Sequence, residues 1–260
     1  MRPLSGITIA FLGQCHTSGY PGVPPDRTFP QVCRRTVERR RPGITLQVVL
    51  EPYEHPLDLK RALYRASRLR PEVIVIEVVG WLAIKGREGV DLSRLPAGVR
   101  SAYQRARHFR HVSYRITSRL PKGADLIYRV QTGGYELASA LLRSLVPRWP
   151  RPTIAEYERC LDGALRAARV MSGVRVAIQG PGAPNLALDA RGLAPDALER
   201  YRSVEGMARR IAAAHGALYV DRWDTVSTGF FLPGSIRPAV GGHSTWGYLL
   251  AEKLMAEGLV

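Results

Sequence analysis

Lysine and cysteine are the residues this chain nearly does without. Cysteine occurs three times, at Cys15, Cys33 and Cys160, with no C-x-x-C spacing. A scattered, odd set argues against a disulfide framework and against a cysteine zinc site. Lysine occurs only at Lys60, Lys85, Lys122 and Lys253, so the formal charge of +16 is an arginine charge. No compact basic block with interleaved aromatics accompanies it. The densest run, "CRRTVERRRPG" (33–43), reads as the solvated face and end of a helix, and direct nucleic-acid binding is not expected. The charge instead suits acidic small ligands such as a CoA or carrier-protein thioester. No apolar run reaches the roughly 20 residues of a membrane helix. "MRPLSGITIAFLG" has no A-x-A-like cleavage site after its apolar stretch, so the expected location is cytoplasmic. H-E-x-x-H, G-x-G-x-x-G and metal-spaced carboxylate clusters are all missing, so no cofactor and no metal are expected. "QGPGAPN" (179–185) lacks the Lys-Ser/Thr of a phosphate-binding loop and reads as a rigid turn lining a cleft.

What is present is a folding chain. Hydrophobic residues make up 45 % of 260 positions, enough for a full core in a single domain over 1–260. Short β-branched runs alternate with helical patterns. "GITIAFLG" (6–13), "ITLQVVL" (44–50), "PEVIVIEVVG" (71–80), "VRVAIQG" (174–180) and "ALYVD" (217–221) read as strands. Helices are predicted over 29–41, 57–69, 153–171, 195–216 and 244–258. Thr153 with Glu156 forms a capping box at the start of one of them. This alternation predicts a three-layer α/β/α sandwich around a mostly parallel, five-stranded sheet. In such sheets ligands bind beyond the carboxyl ends of the strands. Residues 81–152 break the rhythm. They are too long for an ordinary connection and read as an insertion, a lid carrying Arg105 and Arg110.

The first strand ends in "GQCHTSGY" (13–20), the third in "VIVIEVVGW" (73–81), and "GGHSTWGYLLAEKL" (241–254) sets a histidine just before the closing helix. This arrangement resembles the SGNH, or GDSL-type, hydrolases, with their flavodoxin-like fold. That family opens with a strand and G-D-S-x-T-x-G, where Ser is the nucleophile, and closes with D-x-x-H, where His is the base. Gly13, Thr17 and Gly19 match the first motif, and His243 matches the histidine. The departures are specific. Cys15 stands at the nucleophile, Gln14 at the neighbouring Asp, and Val240 at the Asp three residues before the histidine. The family's other oxyanion donors are not recovered. "EPYEHPLD" (51–58) has no glycine, and Trp81, not Asn, follows Gly80.

A thiol needs less help than a hydroxyl. It titrates near 8.5 and falls lower beside an imidazolium, so a Cys15–His243 pair remains self-consistent without a carboxylate at 240. Gln14, Gly80 and Trp81 are placed at the oxyanion and cleft wall. His16, Glu77 and Asp224 are supporting candidates. Glu77 is anomalous in an apolar strand and needs a partner if buried. It would orient a catalytic group or pair with an insertion arginine such as Arg105. The resemblance implies acyl transfer through a Cys15 thioester, as an ester or thioester hydrolase or an acyltransferase acting on a small acyl substrate. The alternative is a non-catalytic descendant of the fold that binds a ligand or partner in the same cleft.

Overall fold

In the computed structural model the described residues are 5–19, 23–53, 56–78, 153–183, 197–223, 225, 230–231 and 238–260. The chain divides into two compact units, Met1–Lys85 with Pro152–Val260, and Gly86–Arg151; every described residue belongs to the first. The insertion expected over 81–152, with Arg105 and Arg110, lies outside the described residues.

Among the described residues, five strands form one parallel sheet. β1 (Ser5–Gly13) sits between β2 (Ile44–Pro52) and β3 (Val73–Glu77). β4 (Arg175–Gln179) and β5 (Leu218–Val220) follow, giving the order β2-β1-β3-β4-β5. The period of two in β1 sorts its side chains cleanly. Ile9 and Phe11 join Val73, Val75 and Ala177 beneath α2 (Phe29–Arg40) and α6 (Val240–Ala256). Ala10 and Leu12 join Ile74, Ile76 and Ile178 beneath α3 (Leu59–Ser67), α4 (Ile154–Arg169) and α5 (Ala197–His215). Both faces are covered, which is why β3 reads as one apolar run and all five of its residues are buried. The expected three-layer sandwich is the observed one. No helix among the described residues is long and apolar enough to cross a membrane.

Local signals explain most boundaries. The capping box forms: the Thr153 hydroxyl accepts from the Glu156 amide at 3.1 Å, and the Glu156 carboxylate accepts from the Thr153 amide at 2.7 Å. Cys33 packs in the core between α2 and the sheet.

Two boundaries differ from expectation, and both concern the site. The segment after Gly13 is one helical turn, α1 (Cys15–Ser18), closed by Thr17 donating its amide and hydroxyl to the Gln14 carbonyl at 3.0 and 2.6 Å. Consecutive side chains on this turn splay by about 100°. The last helix begins at Val240, four residues earlier than read, so His243 lies inside its first turn. Gly241 is a close-approach position, since a Cβ there would lie 2.5 Å from the Phe230 ring.

Candidate active site

The carboxyl ends of β1, β3, β4 and β5 converge on one buried polar cluster. Its centre is Glu77, the last residue of β3, which is 2 % exposed. His16 Nδ1 donates to Glu77 Oε1 at 2.8 Å, Arg222 Nη1 donates to the same oxygen at 3.3 Å, and the Gln14 amide donates to Oε2 at 3.3 Å. Gly13 makes this approach feasible. A Cβ there would stand 2.6 Å from Glu77 Oε2 and 2.4 Å from the Thr17 methyl. Burial opposes ionisation of Glu77, but His16, Arg222 and the Gln14 amide together outweigh it and hold its carboxyl down to about 2. An ionised carboxylate only accepts, so His16 must carry a hydrogen on Nδ1. A carboxylate thus holds the His16 ring through Nδ1.

Arg222, just beyond β5, is 2 % exposed. Its Nε donates to the Gly180 carbonyl at 2.5 Å, and its guanidinium lies 4.3 Å from the centre of the Trp246 ring. Stacking on an aromatic face and pairing with a carboxylate are what make a buried arginine tolerable. Sequence reasoning overlooked Arg222 among many arginines. The signal was available: a buried acid at the end of β3 needs a polar or charged partner at the carboxyl edge of the sheet. The Asp221 beside it points elsewhere, accepting from the Trp223 amide at 2.8 Å and from Arg209 at 2.6 Å, and so caps the turn after its strand.

His243 is fully buried. It stacks on Phe29, with ring centres 6.2 Å apart and planes 10° from parallel, and meets the edges of His16 and Trp246 at 6.1 and 5.9 Å. Its Nδ1 accepts from the Phe29 amide at 3.2 Å. Burial, then the nearby His16, push its pKa well below the ordinary 6.5; Arg222 adds to this and Glu77 opposes it. His243 is therefore a neutral ring. Gln179, at the end of β4 and in register with Glu77, is also fully buried, and neither polar atom of its side chain has a hydrogen-bond partner among the described residues.

The structure thus brings Gln14, His16, Glu77 and His243 together and adds Arg222, Trp246 and Gln179. Glu77 pairs with His16 and Arg222 there. The Cys15 side chain, Gly80, Trp81 and Asp224 lie outside what is described; the Cys15 backbone opens α1, directly before His16. No cluster of metal-ligating side chains occurs among the described residues.

No family model matches the chain, and no curated protein matches it in sequence. Solved structures match it in fold along nearly its whole length. A lipase/acylhydrolase from Enterococcus faecalis superposes with a TM-score of 0.58 at 14 % identity, covering 96 % of each chain. The acetylxylan esterase Axe2 from Geobacillus stearothermophilus gives 0.58 at 12 % identity, covering 98 % of this chain and 96 % of that one. TesA gives 0.57 at 13 % identity, covering 97 % and 99 %. The fold is that of the SGNH hydrolases. At these identities the likeness carries the architecture, and the chemistry must be argued from the site.

Proposed function

We propose that this chain cleaves or transfers the acyl group of small esters or thioesters, with Cys15 as nucleophile and the His16–Glu77 pair handling the protons. The observation that supports it best is the 2.8 Å contact from His16 Nδ1 to an ionised, buried carboxylate at the mouth of the sheet. His16 follows Cys15 on the same helical turn, and adjacent side chains on a helix do not face one another. That arrangement suits a base that serves the far side of the acyl group, where the leaving group departs and the acceptor arrives.

The thiol proton of Cys15 passes to His16 Nε2, through water if required. The sulfur bonds to the acyl carbon, and the carbonyl π electrons move to oxygen. When the intermediate collapses, the carbon–oxygen or carbon–sulfur bond to the leaving group breaks. The leaving group takes the proton from His16. Water then attacks the thioester and gives a proton to His16 Nε2. The carbon–sulfur bond to Cys15 breaks, and the sulfur recovers that proton. An alcohol, amine or thiol in place of water makes the same sequence a transfer. An anionic donor such as a CoA or carrier-protein thioester rests on the net charge of +16 alone.

The test is turnover of p-nitrophenyl acetate and acetyl-CoA by the purified chain. Cys15→Ala should abolish it, and His16→Gln should lower it by about 10²–10⁴-fold, the usual worth of general acid–base catalysis. Full activity in Cys15→Ala would contradict the nucleophile. A wild-type chain inert toward every acyl donor, yet binding one of them, would favour the non-catalytic reading.

A further inference from the structure

We propose that the Gln179 carboxamide and the Trp246 indole N–H recognise an uncharged group that both donates and accepts hydrogen bonds, a hydroxyl or an amide. The site then prefers a hydroxyacyl or amide-bearing acyl donor to a plain alkyl one. The preference in turnover rests on the acyl-transfer reading; the binding itself does not.

Both groups belong to one face of the sheet at its carboxyl edge. Alternation along β3 puts Glu77 on the side of Val73 and Val75, and along β4 it puts Gln179 on the side of Ala177. Gln179 is in register with Glu77 on one side and Val220 on the other. Trp246 packs on this same face with Val75, Ala177 and Val220. The nitrogen edge of its ring is turned to the exit of β4. A Cβ on Gly182 would lie 2.7 Å from Cζ2 and 3.4 Å from Cε2, the carbon that bears Nε1. Glycine at 182 is what lets the backbone come so close to the indole. The "QGPGAPN" stretch (179–185) therefore supplies both the carboxamide and the seat of the ring.

Neither group serves the fold. Gln179 is 0 % exposed and Trp246 3 %. Oε1 and Nε2 of Gln179 and Nε1 of Trp246 are each buried without a hydrogen-bond partner among the described residues. Buried polar groups are normally paired, and an apolar side chain of the same size would fold at lower cost. Two such groups from different elements at one rim point to a guest, and their chemistry defines it. Gln179 offers an acceptor and a donor, Trp246 a donor only. A hydroxyl or amide answers both kinds, whereas an alkyl group strands all three atoms. A carboxylate has nothing to give Oε1, and an ammonium nothing to accept from either nitrogen. Arg222 does not call for an anion here, since it is paired with Glu77 and the Gly180 carbonyl. The rim reaches solvent beside the acyl site: the His16 side chain is 15 % exposed, and its ring centre lies 5.8 Å from that of Trp246.

Binding, stability and turnover test this separately on the full chain. Hydroxyacetone and butanone mimic the two acyl classes, differ by a hydroxyl in place of a methyl, and cannot be hydrolysed. In tryptophan-labelled protein, the ¹⁵N–¹H signal of the Trp246 indole, assigned by its loss in Trp246→Phe, should move with hydroxyacetone and stay with butanone. A signal that ignores hydroxyacetone, or follows both ketones equally, would overturn the proposal. Gln179→Met fills the same volume with no polar atom to strand, so its denaturant midpoint should rise above wild type. A lower midpoint would show the carboxamide serving the fold, and would overturn the proposal as well. In turnover, Gln179→Met should lower the ratio of kcat/KM for p-nitrophenyl glycolate over p-nitrophenyl propionate by about 10–100-fold, the worth of a buried polar group left unpaired. An unchanged ratio would contradict recognition by Gln179. A wild-type chain inert toward both esters would sink the acyl-transfer reading, and the indole titration would still decide the binding.

Discussion

Among the described residues, two clusters share one composition, each a histidine, a carboxylate and an arginine. At the strand ends, His16 and Arg222 share Glu77. On the helical layer, His215 Nε2 meets Asp162 Oδ1 at 2.7 Å, and Arg166 meets Oδ2 of the same residue at 2.9 Å. In the first, acid and arginine are each 2 % exposed; in the second, Asp162 is 33 % exposed and Arg166 74 %. The histidines are turned differently as well. Glu77 takes Nδ1 of His16, whereas Asp162 takes Nε2 of His215 and leaves a buried Nδ1. The second cluster ties α5 to α4. Composition is no guide to chemistry here; the carboxyl edge of the sheet, burial and ring orientation separate a site from a brace.

Perturbing each cluster should widen the contrast. The largest effect is expected from Glu77→Ala, which leaves Arg222 as an uncompensated buried charge. Breaking a buried pair in this way costs about 3–5 kcal/mol, visible as a lowered denaturant midpoint, and should remove activity with it.

Acid separates the clusters next. The Glu77 carboxyl lies at about 2 in the fold against an ordinary 4.5. Below 4.5 the unfolded chain binds a proton that the native state refuses, so stability present above 4.5 is lost as the pH falls toward 2. Thermal unfolding against pH should show this fall in wild type and its absence in Glu77→Gln.

His243 gives a smaller loss that begins higher. Its folded pKa lies well below 6.5, so the unfolded chain takes up a proton from about 6.5 downward while the fold does not. Stability from this source is complete above 6.5 and declines below it, and His243→Asn should flatten that part of the profile. Smallest of all is Asp162→Asn, which should leave turnover at the wild-type level and move the unfolding midpoint least. A loss of activity there comparable to that of His16→Gln would erase the distinction between site and brace.

Much of this was legible in the chain. The strands announce themselves because a sheet covered on both faces needs continuous apolar runs, and the Thr153–Glu156 box is a local signal with a local cause. Glu77 was conspicuous as a charge in such a run. The rest depended on contacts distant in sequence. Arg222 is one guanidinium among many until the sheet order sets the end of β5 one strand beyond β4, from where the side chain reaches Glu77. The helical turn at Cys15–Ser18 is four residues long and has no periodicity to read. The start of α6 at Val240 includes Gly241, whose fit is visible only with Phe230 against it. His243 Nδ1 accepts from an amide 214 positions away.

The central claim is that an acyl group passes through Cys15 with His16 managing its protons. Intact-protein and peptide mass spectrometry of the full chain, quenched in acid after brief exposure to an activated acetyl ester, tests it most directly. The account predicts one acetyl group on the peptide containing Cys15, labile to hydroxylamine, that persists longer in His16→Gln because water is no longer activated. An acetyl group on another residue, or unimpaired turnover without one on Cys15, would contradict it.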